Sequence, residues 1–349
     1  MTDDNNLKSM LPEELEELMF SLGQPKYRAL QFFRRIQGGA LSWENFTDIP
    51  KLLRSELADK YTLGNPQIVR RQVSKDGTIK YLFELSDGNC VETVLMKYIH
   101  GTSVCVSTQV GCRMGCVFCA STLAGLARNL SPGEIIGQII SAQRDSGYKV
   151  SSIVLMGTGE PLDNMENVLK FIELVNHPEG MNIGQRHISL SSCGLCEKIE
   201  KLAEKKLQIT LSISLHAPTD EIRNKLMPIN KAYGVEKLLN TCRDYFEATG
   251  RRISYEYAMI KDVNDSEDCA RTLARLLAGT SSHINLIPLN SIEESPLKPS
   301  KPETVRRFQE ILGKAGLTAT VRRKLGSDID ASCGQLRRKY QSDRGERNR

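Results

Sequence analysis

No apolar run in this 349-residue sequence approaches the roughly 18 residues that a membrane-spanning helix needs. The first ten residues, Met1 to Met10, are polar and include Asp3 and Asp4, which does not fit the plan of a secretory signal. Nothing repeats at a period of 20–50 residues and no segment is low in complexity, which argues against solenoids, propellers and disordered arrays. Apolar residues make up 40%, a little low for a globular chain but far above the disordered range. The expectation is a soluble cytoplasmic protein with no membrane partner, long enough for one barrel and an appended domain.

Cysteine, by contrast, is plentiful. Ten in a chain of this length, without an export signal, point to metal ligation or thiol chemistry and not to a disulfide framework. Charge is modest overall at +5 but uneven. Residues 1–65 carry 8 Lys and Arg against 10 Asp and Glu, a balance of 8 − 10 = −2. Residues 301–349 carry 13 against 6, a balance of 13 − 6 = +7. The basic groups gather as Arg322-Arg323-Lys324 and Arg337-Arg338-Lys339, followed by Arg344, Arg347 and Arg349. Such a cluster suits a polyanion such as RNA, or else is simply a solvated tail.

Three kinds of pattern follow one another. Leu15, Leu18 and Met19, then Leu30, Phe33 and Ile36, recur at helical spacing, so residues 1–65 read as a small helical accessory domain. Ile68–Val73, Ile79–Leu85 and Val91–Met96 are β-rich and separated by Asp76-Gly77 and Asp87-Gly88, the signature of hairpins. Residues 66–100 are therefore expected to be a three-stranded meander linking two domains. From about 102 onward, strands expected at 103–107, 152–156, 188–191, 208–214, 253–259 and 283–287 alternate with helices, the last at 302–315. Six β–α units make the fold α/β, a partial (β/α)6 barrel over residues 101–340, with a doubly wound sheet as the alternative. Residues 341–349 form a basic tail.

The first of these strands runs into Cys112-Arg-Met-Gly-Cys116-Val-Phe-Cys119. Thiolates are soft ligands that suit iron–sulfur clusters and zinc. A four-iron cluster takes four ligands, so a local triplet leaves one iron open to chelate a substrate. Gly111 and Gly115 let the loop wrap tightly, and its place after a strand puts it at the barrel's mouth. The competing reading is a structural zinc site, with the Cys193/Cys196 pair contributing; zinc motifs, however, tend to be paired where this triplet is asymmetric.

C-x3-C-x2-C in this setting is the signature of the radical S-adenosylmethionine (SAM) superfamily. The segments Cys105-Val-Ser-Thr-Gln-Val-Gly-Cys112, Gly159-Glu160-Pro161, Ser214-Leu215-His216-Ala217-Pro218, Leu226-Met-Pro-Ile-Asn230 and Asp328-Ile-Asp-Ala-Ser-Cys333-Gly-Gln-Leu336 together resemble the RlmN/Cfr family of RNA methyltransferases, from about residue 10 to 340. The resemblance implies one 4Fe-4S cluster on Cys112, Cys116 and Cys119 and two SAM molecules per turnover. It implies that one SAM methylates Cys333. A radical made from the second SAM then activates that methyl group, and the resulting carbon radical adds to an adenine in RNA. Glu92 is implied as the proton acceptor, and Cys105 as the thiol that resolves the Cys333 adduct through a transient disulfide. Gly159, Glu160, Ser191, Ser214, Leu215, His216 and Asn290 match positions that contact SAM.

Read as residues alone, Glu92 fits an exposed hairpin position as well as a buried base, and Cys105, Cys333 and His216 fit ordinary core packing. Thr158 stands where the family usually has methionine, and Cys193 where it usually has a small hydroxyl residue; Cys193 and Cys196 read as incidental, and Cys90, Cys242 and Cys269 as core. Gly-Glu-Pro at 159–161 and Ala-Ser-Thr after Cys119 look like the carbon-2 type, whereas the Cfr, carbon-8 type tends to carry Gly-Glu-Ala and Ala-Thr-Gly. The implied partners are 23S rRNA at adenosine 2503, tRNAs at adenosine 37, and an electron donor such as flavodoxin or ferredoxin. The alternatives from other classes are a zinc-stabilised RNA-binding module and a radical SAM activase that would need no Cys333.

Overall fold

The computed structural model describes residues 5–290, 295–323, 325, 326, 328, 329 and 336. Three helices open the chain: α1 (Pro12–Ser21), α2 (Tyr27–Gln37) and α3 (Lys51–Lys60). Pro12 starts α1 at its first position, and the Glu14 carboxylate accepts a hydrogen bond from the Leu11 N–H at 2.7 Å, satisfying a donor at the helix end. Of the residues whose spacing predicts a helix face, Phe33 and Ile36 of α2 are buried and Leu30 is half-buried; Phe32 is buried with them.

The meander follows as β1 (Gln67–Val73), β2 (Ile79–Glu84) and β3 (Cys90–Tyr98), antiparallel throughout, and β3 pairs antiparallel with β4 (Gly101–Cys105). The meander is thus continuous with the barrel sheet. A two-stranded ribbon, β5 (Gln109–Gly111) with β6 (Leu126–Asn129), closes the base of the cysteine loop. The alternating units are α4 (Pro132–Ser146), β7 (Val150–Leu155), α5 (Met165–Asn176), β8 (Ile188–Ser192), α6 (Cys196–Glu204), β9 (Thr210–Ser214), α7 (Asp220–Leu226), α8 (Val235–Thr249), β10 (Ile253–Met259), α9 (Glu267–Leu277), β11 (Ser282–Pro288), α10 (Pro302–Lys314) and β12 (Thr318–Val321).

The ten-stranded sheet runs β1-β2-β3-β4-β7-β8-β9-β10-β11-β12. From β4 to β11 the strands are the six expected parallel ones, and the short β12 adds a seventh. The four residues of β12 and the seven of α7 are too short to stand out in a sequence pattern.

Helix ends follow local chemistry. Ser131 accepts from the Glu134 N–H at 3.1 Å while the Glu134 carboxylate accepts from the Ser131 N–H at 3.0 Å, so α4 begins on a reciprocal cap. Its Ile135, Ile136, Ile139 and Ile140 are buried against the sheet. Burying those four side chains contributes roughly 1.5–3 kcal/mol each relative to exposure.

Strand parity decides what faces the barrel interior. Thr93 of β3 turns outward and donates to Gln138 of α4 at 2.8 Å. Glu92 and Val94 therefore face inward. Leu82 is opposite Glu92, and Cys105 is opposite Val94, so Lys80, Leu82, Glu92, Val94 and Cys105 share one inner face.

Candidate active site

The cysteine loop is held in shape by its own backbone. The Cys112 N–H donates to the Gly125 carbonyl at 3.0 Å, Cys119 to Cys116 at 3.1 Å, and Val117 to Leu226 at 3.1 Å. Gly111 and Gly115 have φ of +82° and +71°, a region that favours glycine. The loop is tied to the next strand's turn as well. Gln109 donates to Asp163 at 2.9 Å and accepts from the Glu160 N–H at 2.8 Å, and Arg113 pairs with Asp163.

Cys112, Cys116 and Cys119 line one cavity at the C-terminal ends of the parallel strands. Gly159, Glu160, Ser191, Ser214, His216 and Asn290 line it too, each just after its strand or at its end. Its apolar walls include Phe118, Met227 and Leu289. An apolar cavity with a few convergent polar groups is the usual form of a small-molecule site.

Several of these groups are fixed before any ligand arrives. Gly159 has φ of +110°, and a Cβ there would lie 2.6 Å from Gln109 Cβ and 2.9 Å from its backbone nitrogen. Both Glu160 carboxylate oxygens accept backbone N–H groups, from Leu162 at 3.1 Å and from Cys193 at 2.8 Å. Burial nevertheless pushes its pKa above the ordinary carboxylate value.

His216 is held just as firmly. Its backbone has φ of +56°, unusual outside glycine. The Ala258 N–H donates to its Nδ1 at 2.9 Å, and Asn264 donates to its carbonyl at 2.7 Å. Burial drives its pKa down to about 3, with the nearby Arg223 charge acting the same way. The ring is thus neutral near pH 7, with Nδ1 as acceptor and the proton on Nε2. Phe118 meets it edge to face, with centroids 4.9 Å apart.

Leu215 does not line the cavity; its side chain is buried in the core, and what it offers is its carbonyl, which accepts from Arg223 Nε at 3.0 Å. Glu92 is buried, not exposed on its hairpin, and pairs with Lys80 at 2.9 Å. Cys105 is a buried free thiol on the same inner face, its pKa raised by burial and opposed by the charge of Arg322. Cys333, Lys324, Arg337, Arg338 and Lys339 lie outside the described residues.

Sequence reasoning passed over Lys80, Arg223, Glu256 and Asn264. Arg223 is fully buried and spends all five N–H donors on uncharged oxygens: Leu215, Asn230, Tyr233, Cys193 and Ser214. Its one legible signal was Asn230 in the Leu226-Met-Pro-Ile-Asn230 segment, whose amide oxygen accepts from it at 2.9 Å.

Three thiols converging on one cavity fit a cluster. Among the described residues, no three Cys, His, Asp or Glu side chains close on a single ion. Mononuclear zinc would need four ligands around one point. The Cys193/Cys196 pair does not act together either: Cys193 lines the cavity, whereas Cys196 packs in the main core. Burial holds the Cys112 thiol up at about 12 and raises Cys116 and Cys119 as well, so a metal taken up there would have to displace their protons. Cys90, Cys242 and Cys269 are buried away from this cavity.

The radical SAM superfamily profile matches residues 106–274. A probable dual-specificity RNA methyltransferase RlmN of Desulforamulus reducens is 52% identical over 97% of both chains. The Clostridium tetani protein of the same name is 50% identical over 96% of both. A solved radical SAM methyltransferase from Sphaerobacter thermophilus superposes with a TM-score of 0.91 at 43% identity, covering 95% of this chain and 98% of the other. Identity at this level along nearly the whole length, over a cavity built from the triplet and the strand ends, leaves no other home for the sequence: the chain belongs to the RlmN family of radical SAM RNA methyltransferases.

Proposed function

We propose that the enzyme methylates carbon 2 of adenosine in RNA, at adenosine 2503 of 23S rRNA and at adenosine 37 of tRNAs, through a methyl group carried on Cys333. Carbon 2 lies between two ring nitrogens and is electron-poor, so an ordinary nucleophilic attack on SAM is closed to it. Cluster and SAM, when bound, supply a one-electron cleavage that yields the radical needed to activate a methyl C–H bond.

The protein's own residues bind, orient and move protons. Cys112, Cys116 and Cys119 would hold the cluster. Glu160, Ser191, Ser214, His216 and Asn290 would bind SAM, with the fixed Nε2–H of His216 as a donor and Glu160 as an acceptor for the ammonium group. Glu92 would take the ring proton. Cys105 would attack the Cys333 sulfur and release the product, leaving a disulfide for later reduction.

The observation that carries this reading lies on either side of Cys333. Five residues before it, Asp328 accepts from the Lys75 N–H at 3.1 Å and from the Ser74 hydroxyl on the β1–β2 turn. Three residues after it, Leu336 packs with Leu82 and Cys90, on the same inner face as Glu92 and Cys105. Both of these neighbours in sequence are thus held by the meander that carries Glu92, which supports the reading that Cys333 serves the same site. Gly-Glu-Pro at 159–161 supports carbon 2 over carbon 8.

The helical domain and the basic C-terminal segment would position RNA by shape and backbone, with the target base unstacked. An electron donor such as flavodoxin or ferredoxin would serve the cluster. No helix among the described residues is long and apolar enough to cross a membrane; the RNA substrates themselves point to the cytoplasm as the place of work.

The test is mass spectrometry of adenosine from unmodified 23S rRNA fragments and tRNA. Each is incubated with anaerobically purified enzyme, SAM and reductant. 2-Methyladenosine that disappears in Cys333→Ala is expected. 8-Methyladenosine would replace the carbon-2 assignment with the Cfr type, and no methylation despite SAM cleavage would refute the RNA reading.

A further inference from the structure

We propose that Lys80 is the positioning residue of the proton-accepting carboxylate, holding Glu92 charged and aimed at the barrel interior. This rests on Glu92 being the base. Lys80 is fully buried and Glu92 nearly so, with 2.9 Å between Nζ and the carboxylate. The sheet explains how they meet. Lys80 on β2 stands opposite Val94 on β3, one step diagonal from Glu92, a separation that a lysine side chain spans. Cys105 on β4 stands opposite the same Val94. Base, counter-charge and resolving thiol therefore occupy two adjacent rows of three neighbouring strands.

Folding alone gives no reason for this pair. On the same face Val69, Leu82, Cys90 and Leu336 form an apolar cluster, and the other polar residues that share it, Arg70, Gln72 and Glu84, are only half-buried, whereas Lys80 and Glu92 are buried. Replacing a buried ion pair by apolar residues of similar size is often neutral or stabilising, so ions retained on such a face mark a task. The task follows from the proton balance. In the adduct the C2–H bond breaks, its electron pair stays in the ring, and a new O–H bond forms on Glu92. The acceptor must begin as a carboxylate, and the Lys80 ammonium at 2.9 Å gives that carboxylate its counter-charge and a charge-assisted hydrogen bond that aims it. Cys105 and Cys119 lie within electrostatic reach of Glu92, Arg322 acts on Cys105, and Arg70 of β1 and Glu84 of β2 share the face.

The experiment compares wild type, Lys80→Met, Lys80→Arg and the double variant Lys80→Met/Glu92→Gln, which removes both charges and serves as the folding control. Steady-state kinetics on the RNA fragment should show Lys80→Met with kcat lower by about 100-fold, the usual scale of a lost general base, and KM for RNA within about twofold. Denaturing gels should show a covalent RNA–protein adduct accumulating in Lys80→Met, because the proton that precedes its resolution is not removed. Lys80→Arg, which keeps the charge, should recover most of the rate. In the cluster-free protein, the infrared difference against Glu92→Gln should show a carboxylate band in the wild-type background and an acid carbonyl band in Lys80→Met. A Lys80→Met enzyme as fast as wild type, or a slow one that Lys80→Arg does not rescue and that forms no adduct, overturns the proposal. If wild type itself makes no 2-methyladenosine, the reading of the reaction has failed, and the infrared bands still decide whether Lys80 holds Glu92 charged.

Discussion

Replacing Arg223 by Met should loosen the floor of the cofactor cavity and destabilise the whole barrel. The guanidinium is fully buried and donates to Cys193 O at 2.7 Å, Asn230 Oδ1 at 2.9 Å, Leu215 O at 3.0 Å, Ser214 O at 3.2 Å and Tyr233 O at 3.4 Å. Those partners come from the ends of β8 and β9 and from the segments flanking α7. The three shortest bonds, at roughly 1.5–3 kcal/mol each for a charged donor, amount to about 5–9 kcal/mol. Burying the cation costs several kcal/mol, and burial indeed lowers its pKa. The net loss is about 3–5 kcal/mol. With an unfolding entropy near 2.1 cal/mol/K per residue, a chain of this length shifts roughly 1.5 °C per kcal/mol, so Tm should fall by about 4–7 °C. SAM affinity should fall about tenfold, since Cys193 and Ser214 line the cavity whose backbone the arginine fixes. The substitution Arg223→Lys offers three donors for five acceptors and should recover less than half of the loss. Differential scanning fluorimetry and calorimetric titration of SAM read both effects. An Arg223→Met protein that melts within about 1 °C of wild type and binds SAM equally well would refute the reasoning.

Gly159→Ala should lower SAM affinity and cost about 2 kcal/mol or more of stability, because the new Cβ meets Gln109 at 2.6 Å in a backbone conformation of φ +110°; normal binding by titration would show that the turn can yield. His216 has its folded pKa depressed from 6.5 to about 3, so its contribution to stability is complete above pH 6.5 and is lost as pH falls toward 3. Between pH 6.5 and 4.5 that is about 2–3 kcal/mol, and urea unfolding should show His216→Asn losing less than wild type over that interval. Cys112 has the opposite sign: its folded pKa is raised to about 12, so the cluster-free protein should lose stability as pH climbs above about 9, and Cys112→Ser should flatten that decline in thermal melts.

Local patterns carried the architecture because they are local in origin. Asp76-Gly77 and Asp87-Gly88 specify tight turns whatever surrounds them, and β1, β2 and β3 lie where those turns put them. The six alternating units fixed a parallel sheet with helices outside it, since a parallel strand can only be reached by a crossover. The cysteine triplet was equally legible, three ligands being supplied by eight consecutive residues. What the tertiary structure alone decided was which polar residues are buried together. Glu92 fitted an exposed hairpin position until β2 and β4 flanked it, and its counter-charge Lys80 sits twelve residues away on another strand. Arg223 reads in sequence as one more basic residue on a short helix. Its five acceptors lie 7, 8, 9, 10 and 30 residues away, so no periodicity could announce them. Composition and spacing express what a segment prefers by itself; partnership between buried charges and distant carbonyls exists only once the sheet has set the register and taken the water away.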